Sequence, residues 1–151
     1  MSNDDIVDIL NDLVETAKDG EYGFRTSAEY LKAADTRTLF ERRAAECRQA
    51  ATELQALVRQ LGGKAEDGGT AGGAMHRGWV AVKGTLAGYT DKAILEETER
   101  GEDVALETYR KVLEKTLPPA VRAVVERQYE GVKQNHAQVR FLRDQARAAS
   151  V

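Results

Sequence analysis

Apolar side chains recur every three or four residues over most of this chain, and the interruptions are short. The first run steps through Ile6, Leu10, Leu13, Ala17, Gly20, Phe24, Ser27 and Leu31, the spacing of one buried stripe on a helix. It predicts a helix over 4–33, with Asn3 as N-cap and Asp4, Asp5 and Asp8 near the positive end of its dipole. A second stripe, Phe40, Arg43, Cys47, Ala50, Leu54, Leu57 and Leu61, predicts a helix over 36–61. Asp35 would cap it, and Gly62-Gly63 would close it in a left-handed C-cap. Residues 62–73 hold six of the thirteen glycines and read as a loop. Met75, Trp79, Val82 and Leu86 then predict a short helix over 75–87, about 20 Å long at the usual rise. Leu95, Thr98, Glu102, Ala105, Tyr109 and Val112 mark a third long helix over 91–115, capped by Thr90 or Asp91. Leu117-Pro118-Pro119 breaks the chain, and Pro119 suits the first turn of a fourth helix over 119–147. Its stripe is Val121, Val125, Gln128, Val132, Asn135, Val139, Leu142 and Ala146. No stretch carries the period of a strand.

The two halves look like copies. Gly20-Glu21 aligns with Gly101-Glu102, and Leu39-Phe40-Glu41-Arg42 aligns with Val124-Val125-Glu126-Arg127. The order is helix pair, connector, helix pair. A loop plus a short helix is long enough to span a bundle, so the second and third long helices are expected to run parallel. That is the single-crossover arrangement of ferritin-like bundles. The fold class is therefore all-α: a ferritin-like four-helix bundle with a long crossover, forming a single domain over 1–151.

Composition narrows the function classes. At 151 residues the chain buries about two-thirds of its unfolded surface without staples. One cysteine, Cys47, excludes an internal disulfide framework and suits a reducing cytoplasm. The acidic start lacks a basic-then-apolar signal pattern, and no apolar run reaches the roughly 18 residues of a membrane span. Net charge is −3 with both signs interspersed, so no basic stripe awaits phosphates. Nucleic acid and membrane are excluded as expected partners.

Midway along, the stripes turn small or polar: Ala17 and Gly20, Cys47 and Ala50, Thr98 with Gly101 and Ala105, then Asn135. Interior glycine costs roughly 1 kcal/mol against alanine, so close helix approach or a polar pocket must offset it. A ferritin-like di-iron centre takes one Glu from each of two helices and a Glu-x-x-His pair from each of the others. Glu21 and Glu102 suit the lone positions. The paired positions fail: Gln49 and Gln134 stand where histidine is wanted, and Gly131 replaces one glutamate. A di-iron oxidase is not expected. A reduced metal site remains, made of Glu21, Glu46, Glu102 and His136, whose oxygen-rich set with one imidazole suits Fe or Mn. The competing reading has these glutamates reaching solvent or pairing with arginines such as Arg43.

Other chemistry finds little support. Cys47 sits on an apolar stripe and reads as a small core residue. The Gly-rich loop lacks the phosphate-loop spacing. His76 reads as solvent-facing, Trp79 as a core anchor, and Arg140, Arg143 and Arg147 as a basic strip at a helix C-terminus.

The stretches LNDLVETAKDGEYGF, LFERRAAECRQAATELQALVRQLGG, HRGWVAVKG, DKAILEETERGED and LPPAVRAVVERQYEGVKQNHAQVRFLRD closely resemble a family of small bacterial ferritin-like four-helix-bundle proteins catalogued as a domain of unknown function. The resemblance spans almost the whole chain, and HRGW is its most distinctive part. It implies a helical, cytoplasmic, bacterial protein and no established activity. The expected function is non-enzymatic, without a cofactor, stress-associated, and exerted through self-association or a protein partner. The alternative is a metal-binding or weak redox protein using the carboxylate site.

Overall fold

The computed structural model describes residues 1–67 and 90–149. Within them lie four long helices: α1 (Asn3–Tyr30), α2 (Ala34–Gln60), α3 (Asp91–Leu113) and α4 (Pro119–Ala149). No strand occurs among the described residues. The expected crossover helix over 75–87, with His76 and Trp79, lies outside them.

The helix ends follow local hydrogen-bond chemistry and correct several expectations. Ser2, not Asn3, caps α1: its hydroxyl accepts from Asp5 N (3.2 Å), and the Asp5 carboxylate accepts from Ser2 N (3.0 Å), a reciprocal capping box. α1 stops at Tyr30, three residues early, because Leu31 turns extended. The Asp91 carboxylate then accepts from the backbone of Lys32 and Ala33, each at 2.9 Å. Asp91 thus braces the α1–α2 turn, while Thr90 caps α3 by accepting from Ala93 N at 3.3 Å. α2 begins after Ala33 with no side-chain cap, and Asp35 sits in its first turn.

The other end of α2 closes as expected. Gly62 has φ +80°, and Gly63 N donates to Val58 O at 3.0 Å, a Schellman closure. A Cβ on Gly63 would lie 2.6 Å from a Val7 methyl, so the chain passes α1 at a distance only glycine allows. Asn11 then holds the departing strand of chain, donating to Lys64 O (3.1 Å) and accepting from Glu66 N (2.8 Å). At the α3–α4 turn, Arg122 donates to the carbonyls of Leu113 and Lys115.

Two apolar clusters reveal the helix directions. One joins Leu10 and Leu13 of early α1 to Leu54 and Val58 of late α2, Tyr109 and Val112 of late α3, and Val121 and Val125 of early α4. The other joins Phe24 and Leu31 of late α1 to Phe40 and Ala44 of early α2, Ile94 and Leu95 of early α3, and Val139 of late α4. Therefore α2 and α3 run parallel, and each is antiparallel to α1 and α4, as the connector length predicts. α1 packs on α2 and α3, and α4 packs on α3 and α2.

The stripe of α2 shifts slightly from its expected phase. Phe40, Ala44, Cys47, Ala51, Leu54 and Val58 are buried, whereas Arg43, Ala50, Leu57 and Leu61 are only partly covered. The alanines narrow this face and let α1 approach. A Cβ on Gly20 would meet Cys47 Sγ at 2.8 Å, so the tight contact reaches the bundle middle.

Candidate functional site

Between the two apolar clusters the bundle is not filled. A cavity of about 790 Å³ opens among all four helices, with Ala17, Gly20, Phe24, Cys47, Ala50, Ala105 and Val132 in its walls. This is the polar or small-residue belt of the sequence, and here it encloses space.

One side of the cavity is built on Gln128 of α4. Its amide oxygen accepts from the Tyr109 hydroxyl (2.8 Å), and its amide nitrogen donates to Ala50 O (3.2 Å) and to Glu53 (3.1 Å). Three helices meet on one side chain, and Arg127 also binds Glu53. Deeper in, Asn135 donates to the carboxylate of Glu102, which is 4% exposed. Burial raises the Glu102 carboxyl above its ordinary range, against the opposing pull of Arg43 and Asn135.

Arg43 is the organising charge. Its guanidinium acts on Glu102 and the Tyr109 hydroxyl of α3 and on the Cys47 thiol of its own helix. Yet its Nε is buried without a hydrogen-bond partner. A Cβ on Gly131 would lie 3.7 Å from its Nη1, so that glycine leaves room beside it.

Asp19 faces the same space from α1, with Oδ1 also buried and unpartnered. Burial first, then the neighbouring Glu15 charge, raise its carboxyl from 3.8 to about 7. The folded protein therefore holds a proton that the unfolded chain releases near 3.8. Asp19's contribution to stability is full below 3.8 and is lost as pH rises to about 7. Because the group is partly hydrated, the loss is expected to be about 1–2 kcal/mol. Urea denaturation of wild type and Asp19→Asn between pH 4 and 8 checks this: the variant's profile should be flatter, and it should be the more stable protein at pH 8.

The structure does not bring together the four residues expected to bind metal. Glu21 pairs with Lys18 (3.6 Å) and Arg25 (3.4 Å) on its own helix. Glu46 is exposed at the cavity rim. Glu102 is inside, held by Asn135. His136 instead meets α3 at Asp103, its Nε2 2.6 Å from that carboxylate. Glu21, Glu46 and Glu102 all act electrostatically on Cys47. Even so, among the described residues no three of the four place ligand atoms within 4.8 Å of one another. A bridging pair of cations beside the fixed positive charge of Arg43 would also be repelled. The donor set does not fit a di-metal centre.

A different trio does converge. Glu99 and Asp103, four residues apart on α3, and His136 of α4 bring ligand atoms within 4.8 Å of one another. Glu99 also pairs with Arg143, and Arg147 reaches Glu96 at 3.2 Å, so the basic strip of α4 ties it to α3. The spacing of Glu99 and Asp103 on one helix face was a visible signal; their placement against His136 needed the α3–α4 register.

The family model described as Domain of unknown function (DUF2383) matches residues 5–115. The chain belongs to this family. Among curated proteins none matches the sequence. A Mycobacterium smegmatis Dps1 variant superposes with a TM-score of 0.77 at 14% identity, covering 93% of this chain and 96% of that one. A C-terminal deletion mutant of Mycobacterium smegmatis Dps gives 0.74 at 15% identity, covering 91% and 96%. The dodecameric, bacterioferritin-related thioferritin of Bacteroides fragilis gives 0.72 at 18% identity, covering 99% and 91%. These likenesses establish a ferritin-like fold for this member of the family. No helix among the described residues is long and apolar enough to cross a membrane.

Proposed function

We propose that this member of the family is a non-enzymatic ferritin-like bundle that works by self-association. The observation that carries the reading is Phe141 on α4, which is 61% exposed beside Leu39 of α2 and Leu142 in a shallow apolar groove. Two copies meeting here about a two-fold axis would each cover the other's ring. Burying one phenyl group stabilises by about 1.5–3 kcal/mol, and a symmetric contact does so twice. The dodecameric state of the Bacteroides fragilis thioferritin is in keeping with assembly by this fold. The misfit of the central donors to a di-metal centre favours a structural over an oxidative role.

Light scattering coupled to size exclusion tests the reading. At about 100 µM chain, well above the Kd of a standard-size interface, wild type is expected at a multiple of the 16.6 kDa chain mass. Phe141→Glu should run as a monomer with unchanged helicity. A wild-type monomer at that concentration, or an assembly indifferent to the substitution, would sink the proposal.

A second reading rests on the convergence of Glu99, Asp103 and His136: one Fe or Mn ion held at the α3–α4 seam, with Arg143 displaced from Glu99. Two carboxylates and an imidazole suit such ions. Binding would be lost in His136→Ala.

A further inference from the structure

We propose that the central cavity is a binding site for a small molecule with an apolar body and a single carboxylate, anchored on Arg43. A volume of about 790 Å³ falls in the range of small-molecule sites, which are mostly apolar with a few placed polar groups. The apolar part is supplied by Phe24, Ala50, Ala105 and Val132 from all four helices. The polar part is Arg43. Among the described residues it makes no hydrogen bond or ion pair, its Nε is buried without a partner, and Gly131 leaves space at Nη1. A guanidinium fork facing this space matches the paired oxygens of a carboxylate or a phosphate.

The remaining charges refine the ligand class. The other arginines in the wall are committed, Arg127 to Glu53 and Arg100 to Glu97. Glu15, Glu46 and the buried Glu102, which Asn135 already holds, stand at the same cavity, so a polyanion such as a phosphate ester meets more repulsion there than a single carboxylate paired with Arg43. Asp19, with Oδ1 unpartnered, offers a second contact to a hydroxyl or amine on the ligand. Self-association uses the outer groove at Phe141, so this site stands independently of it.

The test uses the fluorescent probe 1-anilinonaphthalene-8-sulfonate, a monoanion with an aromatic body, and decanoate as competitor. The expected result is saturable binding at one site per chain, displaced by decanoate and not by decylamine. Arg43→Met, which keeps the length and removes the charge, should weaken it about tenfold or more, the usual effect of losing a charge-assisted pair. Arg43→Met could disturb the fold, so Gly131→Leu serves as a second variant. It fills the cavity while keeping Arg43, favours the helix, and should also abolish binding with circular dichroism unchanged. Absence of saturable binding, equal affinity in a folded Arg43→Met, or displacement by decylamine as readily as by decanoate would each overturn the proposal.

Discussion

At pH 8 the native protein is expected to leave Cys47 unalkylated by iodoacetamide while the urea-unfolded chain is labelled completely. The side chain is 5% exposed, and burial pushes its thiol from 9.0 up to about 12, with Arg43 opposing and Glu102, Glu46 and Glu21 adding to the rise. Only the thiolate attacks the reagent, so this rise suppresses the native rate on the order of 10³-fold, before any steric barrier is counted. The same shift fixes the alkaline behaviour. The folded state keeps the proton that the unfolded chain releases at 9.0, so stability from this group is intact below pH 9.0 and falls as pH approaches 12. Labelling at a rate near that of the unfolded chain would mean that α1 and α2 separate readily at the Gly20–Cys47 contact.

The second large effect concerns the far apolar cluster. Phe40→Ala should cost about 3–5 kcal/mol in urea denaturation, the range for deleting a buried aromatic ring and leaving the space. For a chain of this size that corresponds to a drop of roughly 10 °C in melting temperature. Phe40 is fully buried and meets Phe24 edge-on, with ring centroids 5.2 Å apart and planes at 84°. The ring joins α1 to α2 just past their turn, where Ile94, Leu95 and Val139 bring in the other helix pair. Because the middle of the bundle is open, little neighbouring packing can relax into the gap. A loss below about 1 kcal/mol, the level of a surface change, would contradict this view of the core.

The architecture was legible because long helices leave a periodic trace. Ile6, Leu10 and Leu13, or Val121, Val125, Val132 and Val139, are buried as their spacing requires, and the length of the connector foretold that α2 and α3 run parallel. Helix ends were less legible. Asn3 and Asp35 are good caps by type, but Ser2 had the reciprocal partner Asp5, and Asp91 reached across the bundle to the α1–α2 turn. The site was legible as a level along the bundle and not as a set of contacts. Stripe position predicted that Glu102 would be inward, and it is. The competing reading, in which the glutamates pair with arginines, named Arg43, whereas Glu21 pairs with Lys18 and Arg25 of its own helix, since these side chains are long enough to choose between neighbours. Nor could periodicity find Asp19, which lies off the stripe yet lines the cavity.

This ferritin-like bundle organises its middle around Arg43 rather than around a pair of metal ions. Elemental analysis after Fe(II) or Mn(II) loading and desalting tests it most directly. At most one ion per chain is expected, removed by His136→Ala and unaffected by Glu21→Ala combined with Glu102→Ala. Retention of about two ions per chain, as a di-metal centre holds, with both lost in the double glutamate variant, would contradict it.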